Sequence, residues 1–341
     1  QLTTLPTFNC QHGVRAPDSM RLSVLTYNVL HSLAAKRLLR GKPAAWAVDR
    51  FQRAAEVVLR LAPDIACLQE CDPAAHETFE RYLQGYRCAV MMQNEQLPPK
   101  DGCAIFVRSD LTVVNTHALR LRDLTERHFP ASLDIRATAG MSAALWRELH
   151  EKLTLAAAVE VSSGLDDRRL CVATTHLFWD PKYPDLKLLQ AFLLARELDT
   201  LAAAGVILAG DLNSTPLADG RCVGDGELSG VYQLLVKGEV PIRHTHHPVR
   251  MRPGGGILRG VRIEDVPDLQ VTPFRSAYAE AHGRELVTNL TADFQGCLDY
   301  ILYRGARLRS ALPGPTDLPD QLPSEDHPSD HLPLLAEFEL E

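Results

Sequence analysis

Apolar residues along this chain fall into short runs, and most of those runs stop at a polar side chain. RLSVLTYNVL (21–30) is β-rich, whereas FQRAAEVVLRL (51–61) places its apolar positions at helical spacing. Pro63 ends that helix, because proline removes a backbone donor and clashes with the preceding turn. DIACLQE (64–70) and CAIFVRS (103–109) have the length and composition of buried strands. KLTLAAAVEVSS (152–163) and RRLCVATTHLFW (168–179) predict a strand pair joined by GLDD, a good hairpin turn. A helix is expected over about 185–203, then a buried strand at GVILAGDLN (205–213). LDYILYR (298–304) and LPLLAEFEL (332–340) predict the last strands.

Between these elements, residues 110–150 read as irregular and charged, with a short helix near 143–152. Residues 217–290 read as loop-rich; they include GGG at 254–256 and His244, His246 and His247. The histidines admit a second metal site, but a solvated loop is the favoured reading. Residues 1–20 are polar and aperiodic, a lead-in arm, and no solenoid-type repeat is present. Two clear helices and a majority of strands predict an α+β fold, two packed mixed sheets flanked by helices in a four-layer α/β/β/α sandwich.

Composition narrows the function. Of 341 residues, 45% are hydrophobic and 23% charged, which is globular, and the net charge is −7. A protein coating nucleic acid through bulk electrostatics would be basic, so any RNA substrate must be gripped locally. The eight cysteines, at 10, 67, 71, 88, 103, 171, 222 and 297, form no zinc pattern. They suit an intracellular, reducing compartment, with the cytoplasm favoured over mitochondrion or nucleus. No apolar run approaches the ~18 residues of a membrane-spanning helix, so no membrane partner is expected. The sequence starts at Gln1, as a trimmed or processed chain would.

The chemistry lies in where the apolar runs stop. Asn28, Glu70, His176, Asp211 with Asn213, and Asp299 each close one, and Asp330–His331 precedes the final strand. Singly, each has an ordinary explanation as a turn residue or solvated strand end. Together, on one rim of a sandwich, they converge. Cleaving a phosphodiester needs charge neutralisation on phosphorus and an activated water. Glu70, Asp211, Asn28 and Asn213 offer the hard oxygen ligands Mg2+ prefers, for one ion or two. His176 and His331 can donate to phosphate oxygens, and Asp299 can fix a histidine tautomer.

The ordered set TYNVL, LQE, THLFWDP, GDLNSTP, LDYI and SDH resembles the endonuclease/exonuclease/phosphatase superfamily, over nearly all of 22–340. DGCAIF (101–106), THLFWDPKYPDLKLLQ (175–190), TNLTADFQGCLDYI (288–301) and LPSEDHPSDHLPLLAEFEL (322–340) look closer to its carbon-catabolite-repressor deadenylase branch. The 2′,5′-phosphodiesterase relatives share the last two segments. Residues 110–152 and 217–275 depart from the pattern.

The resemblance implies a single catalytic domain over 21–341 and a 3′→5′ exoribonuclease dependent on Mg2+, with Mn2+ able to substitute. The expected substrate is a single-stranded RNA 3′ end, poly(A) by preference, within a larger RNA-processing or decay complex. It implies Glu70 as principal metal ligand, Asn28 at a second metal or the phosphate, and Asp330 completing a shell. Asp211 would orient water beside Asn213, and His176 and His331, the latter held by Asp299, would stabilise the transition state. Pro181, Phe294 and Asn213 would surround the terminal base. The alternatives are a 2′,5′-phosphodiesterase acting on oligoadenylate or a related nucleotide, and a catalytically idle assembly subunit.

Overall fold

The computed structural model describes residues 20–93, 101–128, 155–162, 168–250, 268–315 and 320–340. The lead-in arm, the helix near 143–152, the GLDD turn and the GGG segment lie outside them.

Two six-stranded sheets dominate. The first is built from β1 (Met20–Asn28), β2 (Ile65–Gln69), β3 (Tyr86–Gln93), β4 (Gly102–Arg108), β13 (Arg307–Ala311) and β14 (Leu334–Leu340), in the order β13-β14-β1-β2-β4-β3. The second contains β5 (Thr112–Arg120), β6 (Leu155–Ser162), β7 (Arg169–Thr175), β8 (Gly205–Asp211), β9 (Arg275–Ser276) and β12 (Asp299–Arg304), in the order β5-β6-β7-β8-β12-β9. In each sheet the third and fourth strands run parallel, β1 with β2 and β7 with β8, and every other neighbouring pair is antiparallel. A short hairpin, β10 (Asn289–Leu290) with β11 (Gln295–Gly296), stands apart.

Alternation of side chains along each strand decides the layers. Val24, Ile65 and Cys67 face inward, onto Val159, Val172, Ile207 and Ile301 of the other sheet. Their neighbours Leu25, Ala66 and Leu68 face outward, onto helices α2 (Arg50–Leu61) and α3 (Pro73–Tyr82). On the second sheet, Cys171, Ala173 and Leu208 face outward, onto α5 (Pro184–Thr200), α6 (Gly230–Lys237) and α4 (Leu121–His128). Each fully buried aliphatic side chain contributes about 1.5–3 kcal/mol relative to exposure. Gln69 crosses the inner layer just beneath one rim. Its Oε1 accepts from Thr26 Oγ1 at 3.2 Å in the first sheet, and its Nε2 donates to Thr174 Oγ1 at 2.8 Å in the second.

The predicted sandwich is the observed one. Several expectations need correction. The segment expected to be irregular from 110 holds β5 and α4, and the loop-rich 217–290 holds α6 and α7 (Ala277–His282). Seven α-helices occur among the described residues, including α1 (Ser32–Leu38), rather than two. Asp299 opens its strand instead of closing it. Because β12 runs antiparallel to β8, Asp299 still sits opposite Asp211. No described helix is long and apolar enough to cross a membrane.

Candidate active site

The parallel pairs β1–β2 and β7–β8 end on the same rim, and the polar residues at their ends meet there. Asn28 closes β1, fully buried, and its Nδ2 donates to Glu70 Oε1 at 3.1 Å and to Asp211 Oδ2 at 3.0 Å. One amide thereby joins a carboxylate of each sheet. Glu70 follows β2 with φ +55°, a left-handed conformation that costs a non-glycine residue about 1 kcal/mol or more. The His31 backbone N–H donates to Glu70 Oε2 at 2.9 Å and holds the carboxylate in place. Burial penalises the charge on Glu70, but the imidazoles of His176 and His31 outweigh it and hold the carboxyl below its ordinary value.

On the second sheet, His176 pairs with Asp211 in a parallel bridge just past β7, and its Nε2 lies 3.5 Å from Asp211 Oδ2. Asp211 Oδ1 accepts from Asn213 N at 2.8 Å. Asn213 is itself left-handed, φ +47°, and its carbonyl accepts from Lys187 Nζ at 2.6 Å. Burial, and then the charge of Asp299, push the Asp211 pKa up.

The loop before β14 completes the rim. Ser329 Oγ donates to the Asn28 carbonyl at 2.6 Å and accepts from His331 N at 3.2 Å. His331 Nδ1 lies 2.8 Å from Asp299 Oδ2, and its Nε2 points at Asp211, 3.8 Å away. Burial opposes a charge on His331, but Asp299, Asp330 and Asp211 override it and hold its pKa well above the ordinary histidine value. Asp330 is buried beside Asn289 Nδ2, and burial raises its pKa.

This inventory fits a divalent cation. Asp211, Asp299 and His331 can each bring one ligand atom within 4.8 Å of the others, and Asp299 Oδ1 is buried with no hydrogen-bond partner among the described residues. Among the described residues no lysine or arginine is ion-paired with Glu70, Asp101, Asp211, Asp299 or Asp330. Arg50, the one arginine buried among the described residues, is spent on the carbonyls of Val29, Leu30 and Pro328. Crowded carboxylates that no lysine or arginine neutralises are hard-oxygen donors suited to such an ion.

Beside the rim opens a pocket of about 580 Å3 that touches Asn213 and is bounded by Pro181, Phe294 and Trp179. Phe294 sits in the turn between β10 and β11, fixed by Thr291, and its ring folds back over Gly296. A Cβ on Gly296 would come 2.4 Å from Phe294 Cζ, so only glycine leaves room for the ring.

Every residue expected at the site is therefore on this rim or in its pocket. Others were not expected. His31 and Asp101 flank Glu70, and Asp101 has its pKa raised by burial, against the pull of His176. Lys187 is a buried cation with its pKa lowered to about 8 by burial. The DGCAIF and THLFWDPKYPDLKLLQ segments already contained Asp101 and Lys187, so the signal was present but unassigned. The histidine cluster is not a solvated loop. His244 and His247 are only 2% and 3% exposed, tied into turns that pack on the start of α6, and His246 faces the pocket.

Known proteins share sequence and fold with this chain. The chain is 26% identical to the Xenopus laevis CCR4-NOT transcription complex subunit 6-like-A, over 100% of this chain and 68% of that one. It is 28% identical to the Arabidopsis thaliana carbon catabolite repressor protein 4 homolog 4, covering 95% and 78%. It is 27% identical to the Schizosaccharomyces pombe CCR4-Not complex 3′-5′-exoribonuclease subunit Ccr4, covering 94% and 49%. In fold it is similar to ANGEL2, a 2′,3′-cyclic phosphatase, in complex with adenosine-2′,3′-vanadate, with TM-score 0.70, 21% identity, and 95% and 96% of the two chains covered. It is similar to the human Nocturnin catalytic domain at TM-score 0.59, 21% identity, and 94% and 96% covered. Residues 7–331 match the model of the Endonuclease/Exonuclease/phosphatase family, and to that family the chain belongs.

Proposed function

We propose that the chain is a divalent-cation-dependent 3′→5′ exoribonuclease that removes nucleotides from adenosine-ended single-stranded RNA. One observation carries this reading: Asn213 belongs both to the buried carboxylate–histidine rim and to the pocket bounded by Pro181 and Phe294. A base seated in that pocket would place its phosphate beside Asp211. The relative named as a 3′-5′-exoribonuclease supports the direction of attack.

Glu70, with Asn28 and Asp330, would hold Mg2+, with Asp211 and Asp299 the ligands for a second ion. The cation would neutralise charge on the phosphate. Asp211 accepts a hydrogen bond from the attacking water and aims it at phosphorus. His176 and His331 donate to the non-bridging oxygens where charge accumulates. Asp299 keeps His331 charged and its Nε2 turned toward the phosphate. The water oxygen bonds to phosphorus as the bond to the preceding O3′ breaks. A nucleoside 5′-monophosphate leaves, and the shortened RNA keeps a free 3′-hydroxyl. Pro181 and Phe294 enclose the base, and stacking contributes about 1–3 kcal/mol.

The test is a time course with purified protein, Mg2+ and 5′-labelled RNAs ending in A, U or C, beside 2′,5′-linked oligoadenylate and with EDTA as control. A ladder shortening from the 3′ end, fastest on A and abolished by EDTA, is expected. Cleavage of the 2′,5′ linkage alone would make the chain a 2′,5′-phosphodiesterase.

A further inference from the structure

The exoribonuclease reading leaves one motif unused, the histidine cluster of HTHH (244–247). It contributes a side chain to the pocket. His246 lines the same cavity as Pro181, Asn213 and Phe294. Its ring is oriented by the backbone of α6, where the Gly230 N–H donates to His246 Nδ1 at 3.1 Å. That N–H is one of the donors a helix N-terminus leaves unpaired. The approach is close: a Cβ on Gly230 would come 2.9 Å from His246 Cβ and 3.0 Å from Leu188 Cδ2.

An Nδ1 that accepts a hydrogen bond cannot carry a proton, so the neutral ring carries its hydrogen on Nε2. The ring is neutral near pH 7. Burial, and then the neighbouring His244, lower its pKa to about 4, against the opposite pull of Glu227. His244 fixes the backbone as well: its Nδ1 accepts from His246 N at 3.0 Å while its Nε2 donates to the Leu228 carbonyl at 2.9 Å.

Four other polar side chains around the cavity are committed elsewhere. Lys187 Nζ donates to the Asn213 carbonyl, Asn213 Nδ2 to the Leu177 carbonyl, Ser214 Oγ to Ser229 Oγ, and Thr215 Oγ1 to the Leu217 carbonyl. Among the described residues no hydrogen bond engages His246 Nε2 or Asn213 Oδ1. Asp293 and the exposed Trp179 line the cavity too, but of the side chains left unengaged the two held by backbone contacts, His246 and Asn213, offer it one donor and one acceptor. Adenine presents the complement, an N6 amino donor beside the acceptor nitrogens N7 and N1.

We propose that His246 is a specificity-determining residue, whose Nε2–H donates to a ring nitrogen of an adenine seated between Pro181 and Phe294. This rests on the exoribonuclease reading for its substrate, but the pocket chemistry can be read without turnover.

Two measurements decide it. The first removes single atoms, comparing kcat/KM on RNAs ending in adenosine, 7-deazaadenosine or 1-deazaadenosine. The wild type should lose about fivefold on one deaza analogue, as one neutral hydrogen bond is worth about 1 kcal/mol. His246→Asn keeps an acceptor for the Gly230 N–H but has no donor at the Nε2 position. That variant should lose about the same factor on adenosine and become indifferent to the sensitive analogue. Equal deaza sensitivity in wild type and variant, or none in the wild type, would overturn the inference.

The second measurement is histidine-ring nitrogen NMR on the wild type, with the His246 signals identified by their loss in His246→Asn. An Nε2–H tautomer is expected from pH 8 down to about pH 5, with its proton shifting when adenosine 5′-monophosphate is added and not when uridine 5′-monophosphate is. An Nδ1–H tautomer, or identical responses to the two nucleotides, would sink the proposal. Should the wild type leave every RNA end intact, the exoribonuclease reading falls, and the nucleotide titration alone decides the role of His246.

Discussion

The rim and the pocket touch at Asn213 and are built in opposite ways. On the rim the side chains hold one another. Asn28 binds Glu70 and Asp211 where the central strands end, Asp211 binds the Asn213 N–H, and His331, from the loop before β14, binds Asp299 at the start of β12. In the pocket the walls come from loops. Trp179 is 64% exposed, Phe294 rests on a glycine, and the hydrogen bond that orients the His246 ring comes from backbone. The contrast teaches where each task can be changed. Charge chemistry needs positions fixed to fractions of an ångström, which strand ends in a packed sandwich supply. Base choice needs only shape and one or two hydrogen bonds, which loops can supply and exchange cheaply.

The contrast fails first if the rim tolerates damage. Glu70→Gln keeps an acceptor for the His31 N–H but loses the charge, and phosphodiesterase activity should fall on the order of 10^3-fold. Circular dichroism should be unchanged. Retention of most Mg2+-dependent activity would remove Glu70 from the chemistry. Asp299→Ala and His331→Ala come next. Each should cost about 10^2-fold, and the double mutant should be little worse than either, because the two act as one unit. Additive losses would mean that they work separately.

A pocket change should be smaller and selective. Phe294→Ala should narrow the preference for A-ended over U-ended RNA by about tenfold, the stacking energy lost. Its metal requirement should match the wild type, and an equal loss on all ends would contradict a base-reading wall.

The smallest effect is on stability, and it differs in sign between the regions. His246 and His247 have pKa values lowered to about 4, chiefly by burial, so the folded state binds fewer protons than the unfolded one. Their contribution is complete above about pH 6.5 and is lost as pH falls toward 4, on the order of 1–2 kcal/mol each. His331, held well above 6.5, contributes fully below the unfolded value and loses that contribution as pH rises through its folded pKa. Urea midpoints without metal from pH 4 to 8 test this. His246→Asn should flatten the acid limb, and His331→Ala should leave that limb in place.

Much of this was legible in the sequence because strand ends are local features. A buried apolar run stopping at a carboxylate or amide marks both the strand and the rim it reaches, as Tyr27–Asn28 and Gln69–Glu70 do. Edge strands lack that mark. TVVNTHALR in β5 is mostly exposed, and as an edge strand of the second sheet it carries polar residues where an interior strand would not. Helices α3 and α6 did leave capping signals, Asp72–Pro73 and Ser229 with Gly238, the second inside the stretch that read as loop-rich. His246 left none. Its orientation depends on an N–H sixteen positions earlier, and no periodicity encodes such a contact.

The strand order holds a last consequence. The two sheets repeat one plan: six strands with a single parallel pair at the centre, and one helical crossover carrying each pair. The first half-molecule ends that pair in an amide and a carboxylate, Asn28 and Glu70; the second ends it in an imidazole and a carboxylate, His176 and Asp211. The rim thus joins two half-sites, each of which brings its own acid. Such an architecture makes the site a product of how the sheets mate: slide one against the other, and the Asn28 link between Glu70 and Asp211 parts.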